Sequence, residues 1–187
     1  MMKIGDKIPG LEANAFIDKE IKKVKLSDYE GKWLIMLFYP ADFTFICPTE
    51  LAEMADHYEE LKKFGCEVLS VSVDTAFVHK AWHDTSPSIK KINYPMLADP
   101  SGKICKVFGT YIEEEGLSVR GTFIINPEGI VKAIELHDNS IGRNAKEIIR
   151  KLKAAKFVAE NDGFVCPASW EPGKETLKPG TDLIGKI

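Results

Sequence analysis

The run Trp33-Leu34-Ile35-Met36-Leu37-Phe38-Tyr39 narrows what this chain can become more than any other feature. It is the longest apolar run in the sequence, and it falls far short of the ~20 residues that span a bilayer. An apolar stretch without alternation is the pattern of a strand covered on both faces, which occurs where helices flank a sheet. The segment after it agrees. Pro48 to Gly65 places Leu51, Met54, Ala55, Tyr58 and Leu61 on one helical stripe, and Gly65 closes the helix. In Glu67–Asp74, Leu69, Val71 and Val73 alternate with serines, which predicts a second strand.

The remaining pattern extends this alternation. A helix is expected around 76–83, a short strand at 95–98 and a helix at 101–108. Two strands then meet at the turn cluster Asn126-Pro127-Glu128-Gly129, and a helix at 144–158 carries Ile148, Ile149, Leu152 and Ala155 on one face. The opening, up to Lys32, reads as short strands and turns. From Asn161 onward Gly and Pro recur and periodicity is lost. The expectation is an α/β domain over residues 1–160, with a central mixed β-sheet flanked by helices and an N-terminal strand extension. Residues 161–187 are expected to form a C-terminal tail.

Composition removes several classes of function. A length of 187 residues suits one decorated domain. A formal charge of −3 is no footprint for a nucleic-acid binder or an anionic-membrane binder. The N-terminus lacks the apolar core of a secretory signal. Cysteines stand at 47, 66, 105 and 166, too scattered for a disulfide scaffold, so a reducing, cytoplasmic compartment is expected.

Chemistry concentrates in Pro40–Glu50, between the apolar strand and the strong helix, where open α/β folds place their sites. Proline favours the first helical turn, so Pro48 puts Cys47 at the N-cap or in that turn. Free backbone N–H groups and the helix dipole favour an anion there, and a thiol at such a place can ionise at neutral pH. Cys47 is therefore expected to be a thiolate, the alternative being a small buried hydrophobe. Thr44 has two open readings: a hydroxyl serving the sulfur or an incoming substrate, or a loop threonine bonded to nearby backbone. Cys66 and Cys105 have no comparable context and read as inert. His79 and His83 have the spacing of a zinc pair, but Lys80 replaces the glutamate such a motif needs, so both read as residues of a helix surface. No Gly-rich nucleotide-binding motif is present, and neither a metal nor another cofactor is expected.

Pro40, Thr44 and Cys47, followed by Pro48-Thr49-Glu50, form a P-x-x-x-T-x-x-C signature that resembles the active site of the peroxiredoxins. The segments LSDYEGKW, FYPADFTFICPTEL, EEEGLSVRGTFIINPEG and VCPASW extend the similarity along the whole chain, to the typical two-cysteine class of alkyl hydroperoxide reductase C type. The resemblance implies a thioredoxin-like fold and a thiol-dependent peroxidase that reduces hydrogen peroxide and organic hydroperoxides. It assigns Cys47 as the peroxidatic cysteine and Cys166 as the resolving cysteine, paired across a homodimer. Thr44, Arg120 and the Cys47 N–H would be donors to the peroxide, Pro40 would shield the pocket, and Glu50 would orient Arg120. Without the resemblance Arg120 reads as a surface charge at a strand end. The resemblance also implies a decameric ring of five dimers, and a flavoprotein disulfide reductase or thioredoxin-type protein as reductant. Two other functions compete with it, a general thiol–disulfide oxidoreductase and an oligomeric holdase chaperone. The missing C-x-x-C counts against the first, because Glu50 stands where its second cysteine would be.

The stretch Asp84–Pro95 lacks a Gly-Gly-Leu-Gly insertion, and the chain ends in Gly185-Lys186-Ile187 without a Tyr-Phe helix. The resemblance makes that insertion and that helix marks of overoxidation-sensitive eukaryotic relatives, and this chain has neither. Cys47 is therefore expected to form disulfide faster than sulfinic acid, and mass spectrometry after stoichiometric peroxide should find disulfide as the dominant product.

Overall fold

The computed structural model describes residues 1–186, which divide into two compact units, Met1–Ala145 and Lys146 onward. In the first unit β1 (Glu12–Ile17) and β2 (Glu20–Lys25) form an antiparallel hairpin. The apolar run becomes β3 (Trp33–Phe38), buried at every position. It leads into α1 (Cys47–Lys63), β4 (Cys66–Ser72), α2 (Ala76–Thr85), β5 (Met96–Ala98) and α3 (Lys103–Phe108). A two-stranded ribbon of β6 (Tyr111–Ile112) and β7 (Leu117–Ser118) follows, and no periodicity announced it. The expected hairpin is β8 (Arg120–Ile125) and β9 (Val131–His137), turned at Asn126–Gly129.

Seven strands make one mixed sheet in the order β2-β1-β5-β4-β3-β8-β9. β3, β4 and β5 run parallel, joined by helical crossovers, while β8 lies antiparallel to β3. This is the mixed α/β architecture that the apolar run and the helix spacing predict. One face of the sheet is sealed by Phe38, Phe108 and Phe123, whose ring centroids lie 4.9–5.5 Å apart in tilted and edge-on contacts. Such pairs add about 0.5–1.5 kcal/mol each beyond area burial. The antiparallel entry of β8 matters most for function. Gly121 faces Phe38, so the first residue of β8, Arg120, stands at the end of the sheet where β3 releases the chain toward Cys47.

The helix-surface reading of the histidines does not hold. His79 is fully buried, with Nδ1 2.7 Å from Asp42 Oδ2 and Nε2 3.1 Å from the Leu97 carbonyl. His83 is half-buried; its Nε2 lies 3.2 Å from the Ile92 carbonyl and its ring is 5.0 Å from Phe16. The reason is the inward face of α2, which Ala76, His79 and Trp82 share as its buried residues. A polar ring enters that face only because Asp42 and Leu97 satisfy both of its nitrogens.

The second unit contains most of α4 (Ala145–Glu160), whose Ile148, Ile149 and Leu152 are buried as its stripe predicts. Beyond it Val165 and Leu177 form an isolated bridge, and Trp170 is buried 4.9 Å from the Phe157 ring. Arg150 binds Glu147 through two nitrogens and donates to the Trp170 carbonyl at 2.9 Å.

Asp42 also accepts a hydrogen bond from the Tyr39 hydroxyl at 2.7 Å, so removing His79 strands a buried carboxyl in the loop before Cys47. His79→Leu should lower stability by about 3–5 kcal/mol, read as a large drop in denaturation midpoint. Lys80→Leu, on the exposed side of the same helix, should change it little.

Candidate active site

Helix α1 starts at Cys47 with Ile46 as its N-cap, and no side chain caps it. Pro48 occupies the first turn as its fixed φ favours. The Cys47 N–H has no backbone partner among the described residues, so the sulfur and an open donor share the helix mouth. The sulfur itself is fully buried.

The loop that delivers Cys47 is tied down at several points. Pro40 is buried where β3 ends. The Asp42 amide donates to Asp74 Oδ2 at 2.9 Å, and Asp42 Oδ1 and Oδ2 engage Tyr39 and His79. Burial pushes the Asp42 carboxyl above its usual range, with the His79 contact opposing it. Phe43 takes a left-handed φ of 55°, a conformation few bulky residues adopt, and its side chain remains exposed against Trp82. Thr44 Oγ1 donates to the Ala41 carbonyl at 2.9 Å, so its proton serves the loop and its oxygen keeps acceptor capacity.

Arg120 crosses from β8 to meet this mouth. Its Nη1 lies 3.3 Å from Cys47 Sγ and 2.7 Å from Glu50 Oε2. Its other edge, Nε and Nη2, donates to the Asn139 carbonyl at 3.1 and 2.9 Å. Arg120 is 3% exposed, which removes the surface-charge reading. Glu50, on the same buried side of α1, lies between two arginines. Arg143 reaches Glu50 Oε1 through its backbone N–H at 2.7 Å and its Nε at 2.9 Å, and Glu50 Oε2 through Nη2 at 3.0 Å. Its Nη1 donates to the Gly121 carbonyl at 2.8 Å. Burial alone would raise the Glu50 pKa; the Arg143 hydrogen bonds and the charges of Arg143 and Arg120 reverse this and hold it below the usual carboxylate value.

The structure thus brings Pro40, Thr44, Cys47, Glu50 and Arg120 to one end of the sheet. Cys166 lies in the other unit, half-buried, its Sγ 3.8 Å from the Ala154 carbonyl. Burial raises its pKa, and the Arg150 charge opposes that rise. Cys105 is buried, and its thiol is pushed up to about 12 by burial first and by Asp99 second. Cys66 is buried at the start of β4. No group of three or more potential metal ligands occurs among the described residues.

A thiol at a helix mouth, facing an arginine that a buried glutamate steadies, agrees with comparison against known proteins. The AhpC/TSA family profile matches residues 4–134, and the profile of the C-terminal domain of 1-Cys peroxiredoxin matches residues 154–186. The chain belongs to the AhpC/TSA family. It is 51% identical over 187 residues to the alkyl hydroperoxide reductase C of Salmonella typhimurium, covering all of both chains. It is 53% identical over 188 residues to that of Amphibacillus xylanus, again over the full length of both. Among solved structures, Enterococcus faecalis AhpC superposes with a TM-score of 0.87 at 50% identity, covering 89% of this chain and 100% of that one. The reduced 2-Cys peroxiredoxin of Plasmodium vivax gives 0.92 at 30% identity, covering 97% and 96%. The fold is therefore the thioredoxin-like fold of the peroxiredoxins.

Sequence reasoning missed Arg143 and the Asn139 carbonyl within this AhpC/TSA site. A usable signal for Arg143 existed. Glu50 falls on the same stripe as Met54 and Tyr58, so it is a carboxylate on a buried face and needs cationic partners. The chain holds only three arginines, at 120, 143 and 150, against many lysines. The Asn139 contact is backbone and leaves no mark in composition.

Arg143→Gln should misplace Arg120 and slow peroxide consumption by about a hundredfold. The pH dependence of stability tests the same ionic link. A depressed Glu50 pKa contributes stability that is complete above the ordinary carboxylate range and is lost as pH falls through the depressed value. The variant loses the side-chain hydrogen bonds and the charge of Arg143, the larger part of that depression, so its acid unfolding should begin at higher pH than in wild type.

Proposed function

We propose that Cys47 is the peroxidatic residue of a thiol-dependent peroxidase. The observation that carries the reading is Arg120 Nη1, held by Glu50 while it faces the Cys47 sulfur at 3.3 Å. Family membership and full-length similarity to alkyl hydroperoxide reductase C proteins support peroxide reduction as the reaction.

The Cys47 thiolate attacks one peroxide oxygen. An S–O bond forms as the O–O bond breaks, and the departing alkoxide or hydroxide takes a proton to become alcohol or water. Negative charge spreads along the S–O–O line, where Arg120 and the Cys47 N–H are placed to donate. Charge balance favours the thiolate. Two buried guanidiniums against one buried carboxylate leave one positive charge, which an ionised sulfur neutralises. Thr44, expected from the resemblance to be a donor, has its proton on the Ala41 carbonyl and so serves as an acceptor for the peroxide O–H, and Pro40 keeps bulk water out.

The resulting sulfenic acid condenses with Cys166 of the partner subunit, releasing water and forming a disulfide. A dithiol protein then reduces that disulfide, either a flavoprotein disulfide reductase or a thioredoxin-type partner. Segment 161–187 acts as the tail that carries Cys166. Apart from Trp170, which packs on Phe157 and accepts from Arg150, its described residues are tied by one isolated bridge and a few turn bonds and include no long helix or strand, which suits a segment that must move. The dimer would form along β9, an edge strand with exposed Leu136 and with Ile141 exposed just beyond it. A ring of five dimers would use the exposed Phe43, Phe45 and Phe77. The cytoplasm suits four free cysteines; among the described residues, no helix is long and apolar enough to cross a membrane.

One equivalent of hydrogen peroxide followed by non-reducing electrophoresis tests the scheme. Wild type should give a covalent dimer, and Cys47→Ser and Cys166→Ser should each give monomer. Cys105→Ser should retain wild-type turnover, because its thiol stays protonated at neutral pH. A covalent dimer in Cys47→Ser would refute the assignment.

A further inference from the structure

A cavity of about 220 Å³ opens in the first unit, between the β1–β2 turn, the end of α2 and the segment leading into β5. None of its lining residues belongs to the Cys47 site. Its floor is apolar: Phe16, Ile92 and Met96 are each buried in the fold and line the space. Its mouth is cationic. Lys19 and Lys90 both line it, both are exposed, and neither has an ion-pair or hydrogen-bond partner for its ammonium among the described residues. The Asp18 carboxylate also lines the mouth and leaves one positive charge in excess.

The turn that carries Lys19 is unusual. Asp18 and Lys19 fill the two central positions of a hairpin that pairs Ile17 with Glu20, and their φ values are 50° and 65°. Glycine and asparagine are the residues that accept such positions easily. Here a lysine accepts left-handed strain and stands at a cavity mouth. A space of this size lies below the ~300–1,000 Å³ of drug-sized pockets, so a small molecule is the fitting occupant.

We propose that this cavity is a ligand site, separate from the peroxide site, for a small anionic amphiphile of the medium-chain carboxylate class. The alkyl chain lies on Phe16, Ile92 and Met96, and the carboxylate pairs with Lys19 and Lys90. Apolar burial supplies affinity and the two ammonium groups supply the preference for an acid. Inorganic anions, which gain nothing from the floor, bind poorly.

Isothermal titration of the intact protein with octanoate tests this, with octan-1-ol, acetate and inorganic phosphate as comparisons. Saturable binding is expected for octanoate alone. Lys90→Glu should weaken it about tenfold or more while leaving hydrogen peroxide turnover at the wild-type rate. Lys19→Gly gives a second variant in which fold damage cannot imitate loss of the site. It should raise the thermal midpoint, because glycine suits the positive φ, and still weaken octanoate binding. No saturable octanoate binding, equal binding of octan-1-ol, or full octanoate affinity in Lys90→Glu would each overturn the proposal.

Discussion

Glu50 lies between Arg120 and Arg143, and the arrangement around Cys47 depends on that contact. A carboxylate in the first turn of α1 would be a liability in a buried place. Paired with two guanidiniums it becomes a fixed anchor, because planar forks and carboxylate oxygens match in geometry as well as charge. Removing either arginine exposes the cost of the other two groups, since an unpaired buried charge is far more costly than an absent one. The arrangement also orients. Arg120 has one edge on Asn139 and one on Glu50, which leaves its Nη1 a single place to stand, against the Cys47 sulfur.

That contact is possible only because of sheet order. β3 and β4 are parallel and deliver α1 by crossover, so Cys47 lies at the carboxyl end of β3. A parallel β8 would have presented its carboxyl end there. The antiparallel β8 presents Arg120 instead, and the following hairpin strand and loop return the chain with Asn139 and Arg143 at the same edge. Residues distant in sequence therefore converge without any one of them being drawn from its own element. The buried Asp42–His79 pair performs the matching task for the other side of the loop, fastening it to α2 and to the Leu97 carbonyl.

How much of this the sequence displays follows from what local pattern can carry. The run 33–39, the stripe of α1 and the turn at Asn126–Gly129 report burial through period and turn chemistry, and the elements appear where those signals place them. The proline after Cys47 reports a helix start for a steric reason that acts within two residues. Arg120 reached the site only through family resemblance, because one arginine at a strand end has no local signature. Arg143 had no such help, although an almost arginine-free chain spends each of its three on fixed geometry. His79 misled because i, i+4 spacing locates a pair on one face without telling which way the face points. β6 and β7, at two residues each, are too short for any period to register.

The cysteines give the sharpest argument about environment. Cys47 and Cys105 are both fully buried and both belong to helices. Burial pushes the Cys105 thiol up, the Asp99 carboxylate drives it further toward its protonated form, and hydrogen bonds to Ser118 and Thr110 oppose this only in part. At Cys47 the neighbouring charge has the opposite sign, and an open backbone N–H stands at the same helix mouth. Two sulfurs with the same exposure thus have neighbours of opposite charge, a carboxylate beside one and a guanidinium beside the other. The reactivity proposed for Cys47 therefore rests on what surrounds the thiol, and exchanging those neighbours, not exchanging the cysteines, is what would move it.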